Sequence, residues 1–143
     1  MAVAPKDIEE SLTLDFKANI NRWNPPAMKP RRDEQLEMCR DVAQFANAVG
    51  GVVLIGIDDK QKRGAIKIAG DIVPVKDAAA MKGWIEQAIV NHLVPNTLDR
   101  EVVVIACPSG DVVAINVPAS RALVAVWDRD RSIEYPKRNS HGK

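Results

Sequence analysis

The pair Gly50-Gly51 separates two hydrophobic patterns of different period, and that junction constrains the fold more than any other feature of the chain. Before it, Leu36, Cys39, Val42, Ala43, Phe45 and Ala46 recur at helical spacing, which predicts an amphipathic helix from an N-cap at Asp33 to about Val49. Glycine ends such a helix because it enters the left-handed conformation without a Cβ penalty. After the junction, Val52 to Ile57 is a continuous apolar run, consistent with a central strand buried on both faces. That run stops abruptly at Asp58-Asp59-Lys60.

The flanking segments extend this helix–strand unit. Ser11 to Lys17 alternates strictly, with Leu12, Leu14 and Phe16 on one face and Thr13, Asp15 and Lys17 on the other, as in a half-buried strand. Ala18 to Arg32 is rich in Asn, Pro and Arg and reads as an irregular basic loop. A short strand is expected at Ala65–Ile68, and a second amphipathic helix at about Asp77 to Leu93, with Met81, Trp84, Ile85, Ala88, Ile89 and His92 on one face. Glu101–Cys107 and Val112–Val117 flank a Pro-Ser-Gly-Asp turn and predict a hairpin. Leu123–Trp127 and Ile133–Tyr135 predict further strands. The order defines an α+β class, a mixed β-sheet with two main amphipathic helices packed on it, as a single domain over residues 1–143.

Composition limits the function. Twenty Lys and Arg against nineteen Asp and Glu leave a net charge of +1, which excludes binding to nucleic acid through overall basicity but not through a local basic stripe. Cys39 and Cys107 are too few for a disulfide scaffold or a zinc knuckle and read as buried thiols in a reducing cytoplasm. No apolar run is long enough to span a membrane, and no phosphate loop or dinucleotide fingerprint is present. No organic cofactor is expected, and the chain is expected to be cytoplasmic. His92, on an apolar helical face, reads as a hydrogen-bonded core residue.

Two sets of side chains could carry chemistry. Glu10, Asp15, Asp58 and Asp59 are carboxylates at predicted strand ends, the hard oxygen donors that Mg²⁺ or Mn²⁺ prefers. A metal held there could activate water against a phosphodiester. In a straight strand, Glu10 and Asp15 would face opposite sides, so they converge only if the chain bends before Ser11. The alternative is that Glu10 sits in a solvated turn and Asp58-Asp59 merely ends a strand. The second set is basic: Arg22, Arg31 and Arg32 in the first loop, Lys60, Lys62 and Arg63 after the central strand, and Lys137 and Arg138 near the end. Trp23 and Tyr135 lie among these residues and could stack on unpaired bases. The position of Trp127, core or exposed, stays open.

Three blocks, Glu10-Ser-Leu-Thr-Leu-Asp15-Phe16-Lys17, Phe45-Ala-Asn-Ala-Val-Gly50-Gly51 and Leu54-Ile-Gly-Ile-Asp58-Asp59, together resemble the Schlafen AlbA-like domain family. Tyr135-Pro-Lys137-Arg138 resembles a loosened form of the family's closing segment. The resemblance implies an α+β nucleic-acid-binding domain and, in some Schlafen proteins, a metal-dependent endoribonuclease acting on structured RNA such as tRNA. It places the catalytic acids at Glu10, Asp15 and Asp59, with Asp58 adjacent. It makes Lys17, Lys137 and Arg138 contacts to the phosphate backbone. Asp15 stands where the family has Glu, which shortens the reach of that carboxylate by one methylene. A single copy would need a homodimer to clamp RNA. The alternatives are a non-catalytic DNA- or RNA-binding module, in the manner of a small phage or bacterial regulator, and a protein-interaction module contacting its partner through the Trp23 region.

Overall fold

The computed structural model describes residues 14–26, 30–60, 62–63, 66–67, 70–128 and 131–136. Strand β1 (Leu14–Lys17) leads through the first loop into helix α1 (Arg32–Ala46) and strand β2 (Gly51–Ile55). A two-stranded ribbon, β3 (Lys62–Arg63) and β4 (Ile66–Lys67), precedes helix α2 (Ala78–His92). There follow β5 (Leu93–Val94), β6 (Glu101–Cys107), β7 (Gly110–Val117), β8 (Ala125–Asp128) and β9 (Arg131–Glu134). The main sheet has four strands in the order β1-β2-β7-β6; β1 and β2 are parallel and the other pairs antiparallel. The α+β class with two helices on a mixed sheet is therefore the observed one.

Local chemistry accounts for the boundaries. The N-cap of α1 lies two residues before the expected one, at Arg31, whose backbone N–H donates to Glu34 Oε2 at 3.0 Å. At the other end the N–H groups of Ala48 and Gly50 both reach the Phe45 carbonyl, so the helix closes at Ala46 rather than Val49. Gly50 takes φ +83°, and a Cβ there would stand 2.8 Å from the Val117 carbonyl oxygen. This position needs glycine for its conformation and for the close approach of β7. Asp77 caps α2, its Oδ1 accepting from Ala80 N at 3.3 Å. The β6–β7 hairpin turns on Pro108-Ser109, with Cys107 paired to Gly110.

The core lies between the main sheet and the helices. Val53 and Ile55 of β2, Val113, Ile115 and Val117 of β7 and Val102 of β6 pack against Leu36, Val42 and Phe45 of α1 and Met81, Ile85 and Ile89 of α2. At roughly 1.5–3 kcal/mol for each fully buried aliphatic or aromatic side chain, this layer dominates the stabilisation. Strand β2 is central, as expected, but Val52 and Leu54 on its far face are only half-buried.

Three sequence expectations need correction. The last strands do not extend the main sheet: β8 and β9 join β5 in a separate antiparallel sheet, order β5-β8-β9, that packs beside α1. Alternation signals a strand but not its neighbour. Trp23 is buried, its indole N–H donating to the Lys76 carbonyl at 2.7 Å and its ring edge-on to Trp84 at 6.2 Å. It is therefore neither a base-stacking residue nor an exposed contact for a partner. Cys107 is half-buried rather than buried, whereas Cys39 is fully enclosed, donates to the Ala88 carbonyl, and has its thiol pKa pushed up to about 12 by burial. Trp127 is exposed. His92 is the core residue expected, its ring nitrogens each 3.1 Å from the Trp127 carbonyl and Gln35 Oε1.

Candidate nucleic-acid interface

The register of β1 decides where its polar residues go. Asp15 pairs with Val53 and Lys17 with Ile55, so both polar side chains share the face that α1 covers. The polar side of this strand is consequently inside: Asp15 is only 4% exposed. Asp41, also buried, comes down from α1 to meet them. Lys17 Nζ lies 3.0 Å from Asp41 Oδ2 and 3.9 Å from Asp15 Oδ2. Burial alone would lower the lysine pKa, but the charges of Asp41 and Asp15, the hydrogen bond to Asp41 and the charge of Glu37 outweigh it and raise the pKa above its ordinary 10.5. The ammonium thus stays protonated, with its charge answered within the protein.

Beside this ion cluster opens a cleft of about 170 Å³, lined by Lys17, Asn21, Glu34, Glu37, Asp41 and Asp59. The backbone brings Asp59 there: after β2, the N–H groups of Gly56 and Ile57 both donate to the Lys17 carbonyl, which ties the Asp58-Asp59 turn to the end of β1. Asp58 and Asp59 then take different roles. The Asp58 Oδ1 accepts from Lys60 N at 3.0 Å, and its carboxylate stands against Gly70, where a Cβ would clash at 2.6 Å. It shapes the loop. Asp59 instead lines the cleft and an adjoining wider hollow that includes Arg22.

Basic residues collect at the start of α1. Glu34 holds Arg22 Nε at 2.8 Å through Oε1 and the Arg31 N–H through Oε2. Burial would raise the Glu34 pKa, but hydrogen bonds from the Glu34 and Arg31 backbones, with the charge and hydrogen bond of Arg22, leave it below the ordinary carboxylate value. Arg31 and Arg32 are exposed, Arg32 Nη1 lying 3.7 Å from Asp128 Oδ1, and Lys60 is exposed beside Asp59.

The sequence-selected residues therefore separate. Lys17 and Asp59 line one cleft with Asp15 behind Lys17, Arg22 lines the adjoining hollow with Asp59, Lys60 follows Asp59, and Arg31 and Arg32 stand at the start of α1. Lys62 and Arg63 form β3. Glu10, Lys137 and Arg138 lie outside the described residues. Sequence reasoning missed Asp41, Glu34 and Glu37, although their spacing of i, i+3 and i+7 puts all three on one side of a helix. Among the described residues, no group of three His, Cys, Asp or Glu side chains is arranged to hold a metal ion. The Lys17 ammonium supplies the countercharge to Asp15 and Asp41. Glu10, the remaining acid of the expected set, lies outside the described residues.

An α+β domain with a parallel strand–helix–strand start and a charged cleft at the end of its first strand is thus the class defined by fold and site. The sequence profile of the family described as Schlafen, AlbA_2 matches residues 10–143, and the chain belongs to that family. No curated protein matches the chain. Among solved structures, the DIP2311 protein from Corynebacterium diphtheriae superposes with a TM-score of 0.55 at 24% identity, covering 87% of this chain. This chain spans only 25% of that protein's length. The N-terminal domain of a Nitrosomonas europaea protein, described as related to the ATP-dependent DNA helicase RecG, superposes with a TM-score of 0.61 at 14% identity, covering 96% of this chain and 85% of that one. At these identities the likeness is one of fold. Among the described residues, no helix is long and apolar enough to cross a membrane.

Proposed function

We propose that this chain binds nucleic acid through the rim of the cleft, with Arg22, Arg31, Arg32 and Lys60 contacting backbone phosphates. The observation that carries this reading is Glu34, which draws the Arg22 side chain and the Arg31 backbone to the first turn of α1. Exposed guanidinium groups are thereby grouped at a helix N-terminus, where the helix dipole also favours anions. Membership of the Schlafen AlbA_2 family and the helicase-related description of the Nitrosomonas neighbour support it. Lys137 and Arg138, and Lys62 and Arg63, would add charge along the same backbone, and RNA of tRNA type is the preferred ligand. A homodimer would supply the second half of a clamp.

A finer reading adds metal-dependent phosphodiester cleavage by Glu10, Asp15 and Asp59 with Mg²⁺ or Mn²⁺. It is favoured by Asp59, a half-buried carboxylate that faces the same cleft as Glu37 and Asp41. One experiment tests both readings: tRNA and single-stranded DNA are incubated with wild type and Asp59→Ala, in Mn²⁺ or EDTA, and both binding and product are followed. Binding that weakens steeply with salt and is reduced by Arg22→Ala supports the interface. Absence of binding to either nucleic acid overturns it. Cleavage that needs Mn²⁺ and disappears in Asp59→Ala supports the enzyme, and tight binding without product removes it.

A further inference from the structure

The outer face of the β5–β8–β9 sheet presents Val94, Trp127, Ile133 and Tyr135 to solvent at 53%, 43%, 50% and 53% exposure. Val126 pairs with Glu134, whose half-exposed carboxylate meets Arg40 at 3.1 Å, while the neighbouring Trp127, Ile133 and Tyr135 are exposed. Trp127 sits where the β8–β9 register shifts, and Tyr135 directly follows the last residue of β9, so both rings belong to this strand pair and are exposed. Other exposed apolar residues, Val49, Val73 and Val90, are aliphatic and belong to different elements, which is ordinary surface.

Two features set this face apart from a patch left uncovered by default. First, its backbone is fixed by polar side chains from both helices. The Trp127 carbonyl lies 3.1 Å from the His92 ring, and Asn47 ties together the start of β8 and the end of β9, which meet at one end of the strand pair. Asn47 Nδ2 donates to the carbonyls of Val124 and Pro136 at 2.8 Å each, and its Oδ1 accepts from Val124 N at 2.7 Å. Second, its charge is complementary to a polyanion. Asp128 of β8 is buried beside Arg32, Glu134 of β9 is held by Arg40, and the sequence after Pro136 contains Lys137, Arg138 and Lys143 without any Asp or Glu.

We infer that the outer face of the β5–β8–β9 sheet is a stacking platform for the unpaired bases of single-stranded nucleic acid, with Trp127 and Tyr135 as the stacking residues. The inference rests on the nucleic-acid reading above and narrows it to single strands. A base stacks on any π-face, so two exposed rings on a hydrogen-bonded backbone bind single strands with little sequence preference, whereas a duplex keeps its bases stacked inside and gains nothing from the rings.

The test measures fluorescence anisotropy of dye-labelled oligouridine, oligothymidine and a duplex of equal length at fixed salt. Trp127→Ala and Tyr135→Ala are each expected to weaken both single strands roughly 5- to 100-fold while leaving the duplex unchanged, with Trp127→Phe restoring most of the affinity. Arg22→Ala is expected to weaken all three ligands. Loss confined to oligouridine or to oligothymidine supports the platform and identifies the strand it serves. If wild type binds and both alanine variants match it on single strands, the platform is overturned and the cationic rim stands. If wild type binds no ligand, the underlying nucleic-acid reading falls and the platform with it. If wild type sediments as a dimer that Trp127→Ala separates, the face is a contact between copies and the platform is again overturned.

Discussion

Under α1 the protein buries charge, and on the outer face of β5–β8–β9 it leaves aromatic rings in water. Each arrangement runs against the ordinary partition of residues, and buried polar groups and exposed large apolar groups are the deviations that carry information. The two regions solve opposite problems. Asp15, Lys17 and Asp41 lose hydration and must satisfy one another, so their geometry is bound up with stability. Trp127 and Tyr135 contribute little to the packed core and keep their surfaces available, so their value lies in contact with something else. The contrast teaches that charge near a cleft is not by itself a binding signal, because the most basic-looking residue of the first strand is already occupied.

The sharpest way to break this comparison is Lys17→Met. It leaves the Asp15 and Asp41 carboxylates buried without their cation, and a loss of about 3 kcal/mol is expected, seen as a fall of roughly 10 °C in the thermal midpoint. A variant melting with wild type would show that the carboxylates do not depend on Lys17. Next in size is Asn47→Ala, which strips partners from the Val124 and Pro136 carbonyls and the Val124 N–H. About 2 kcal/mol is expected from urea denaturation, because polar groups left without partners lose more than a hydrogen bond's net worth. Its effect should also reach the platform, lowering single-strand affinity more than duplex affinity.

Acid gives a smaller effect with a definite sign. Glu34 is held below its ordinary pKa of 4.5, so it stabilises the fold above that value, and the contribution is lost as pH falls through its lower folded value. The stability gap between wild type and Glu34→Gln should therefore be largest near neutrality and close progressively below about pH 4, as followed by urea midpoints across the range. Smallest of all is the stability change for Trp127→Ala, expected within about 0.5 kcal/mol as for other exposed positions. A large loss there would make the ring a structural element and erase the distinction between the two regions.

Much of the fold was legible because local signals agreed with it. The Gly50-Gly51 junction, the two helical stripes and the Pro108-Ser109 hairpin each depend on residues close together in sequence, and each stands within a few residues of its expected place. What was hidden depends on which element lies next to which. Strand β1 reads as polar on one side, and nothing in Asp15 or Lys17 announces that α1 covers that side. Trp23 lies in a loop of Asn, Pro and Arg and reads as exposed until Lys76, far away in sequence, supplies an acceptor for its indole. The carboxylate stripe Glu34, Glu37 and Asp41 was visible at helical spacing, but carboxylates on a helix ordinarily face water, so only the structure separates buried Asp41 from exposed Glu37. For Trp127 the sequence pattern decides nothing, since the same alternation fits a covered or an open sheet face.

The strand order β1-β2-β7-β6 has a consequence for how the chain is made. Strand β7 lies between β2 and β6, yet it is the last of the four to be synthesised. While the chain emerges from a ribosome, β2 has an open edge from the time Ile55 appears until Val117 does, more than sixty residues later. Non-local pairings of this kind close slowly, and an open strand edge invites the wrong partner in the interval. The β2 edge along Val52, Val53 and Leu54 is therefore the segment most in need of shielding before the hairpin arrives.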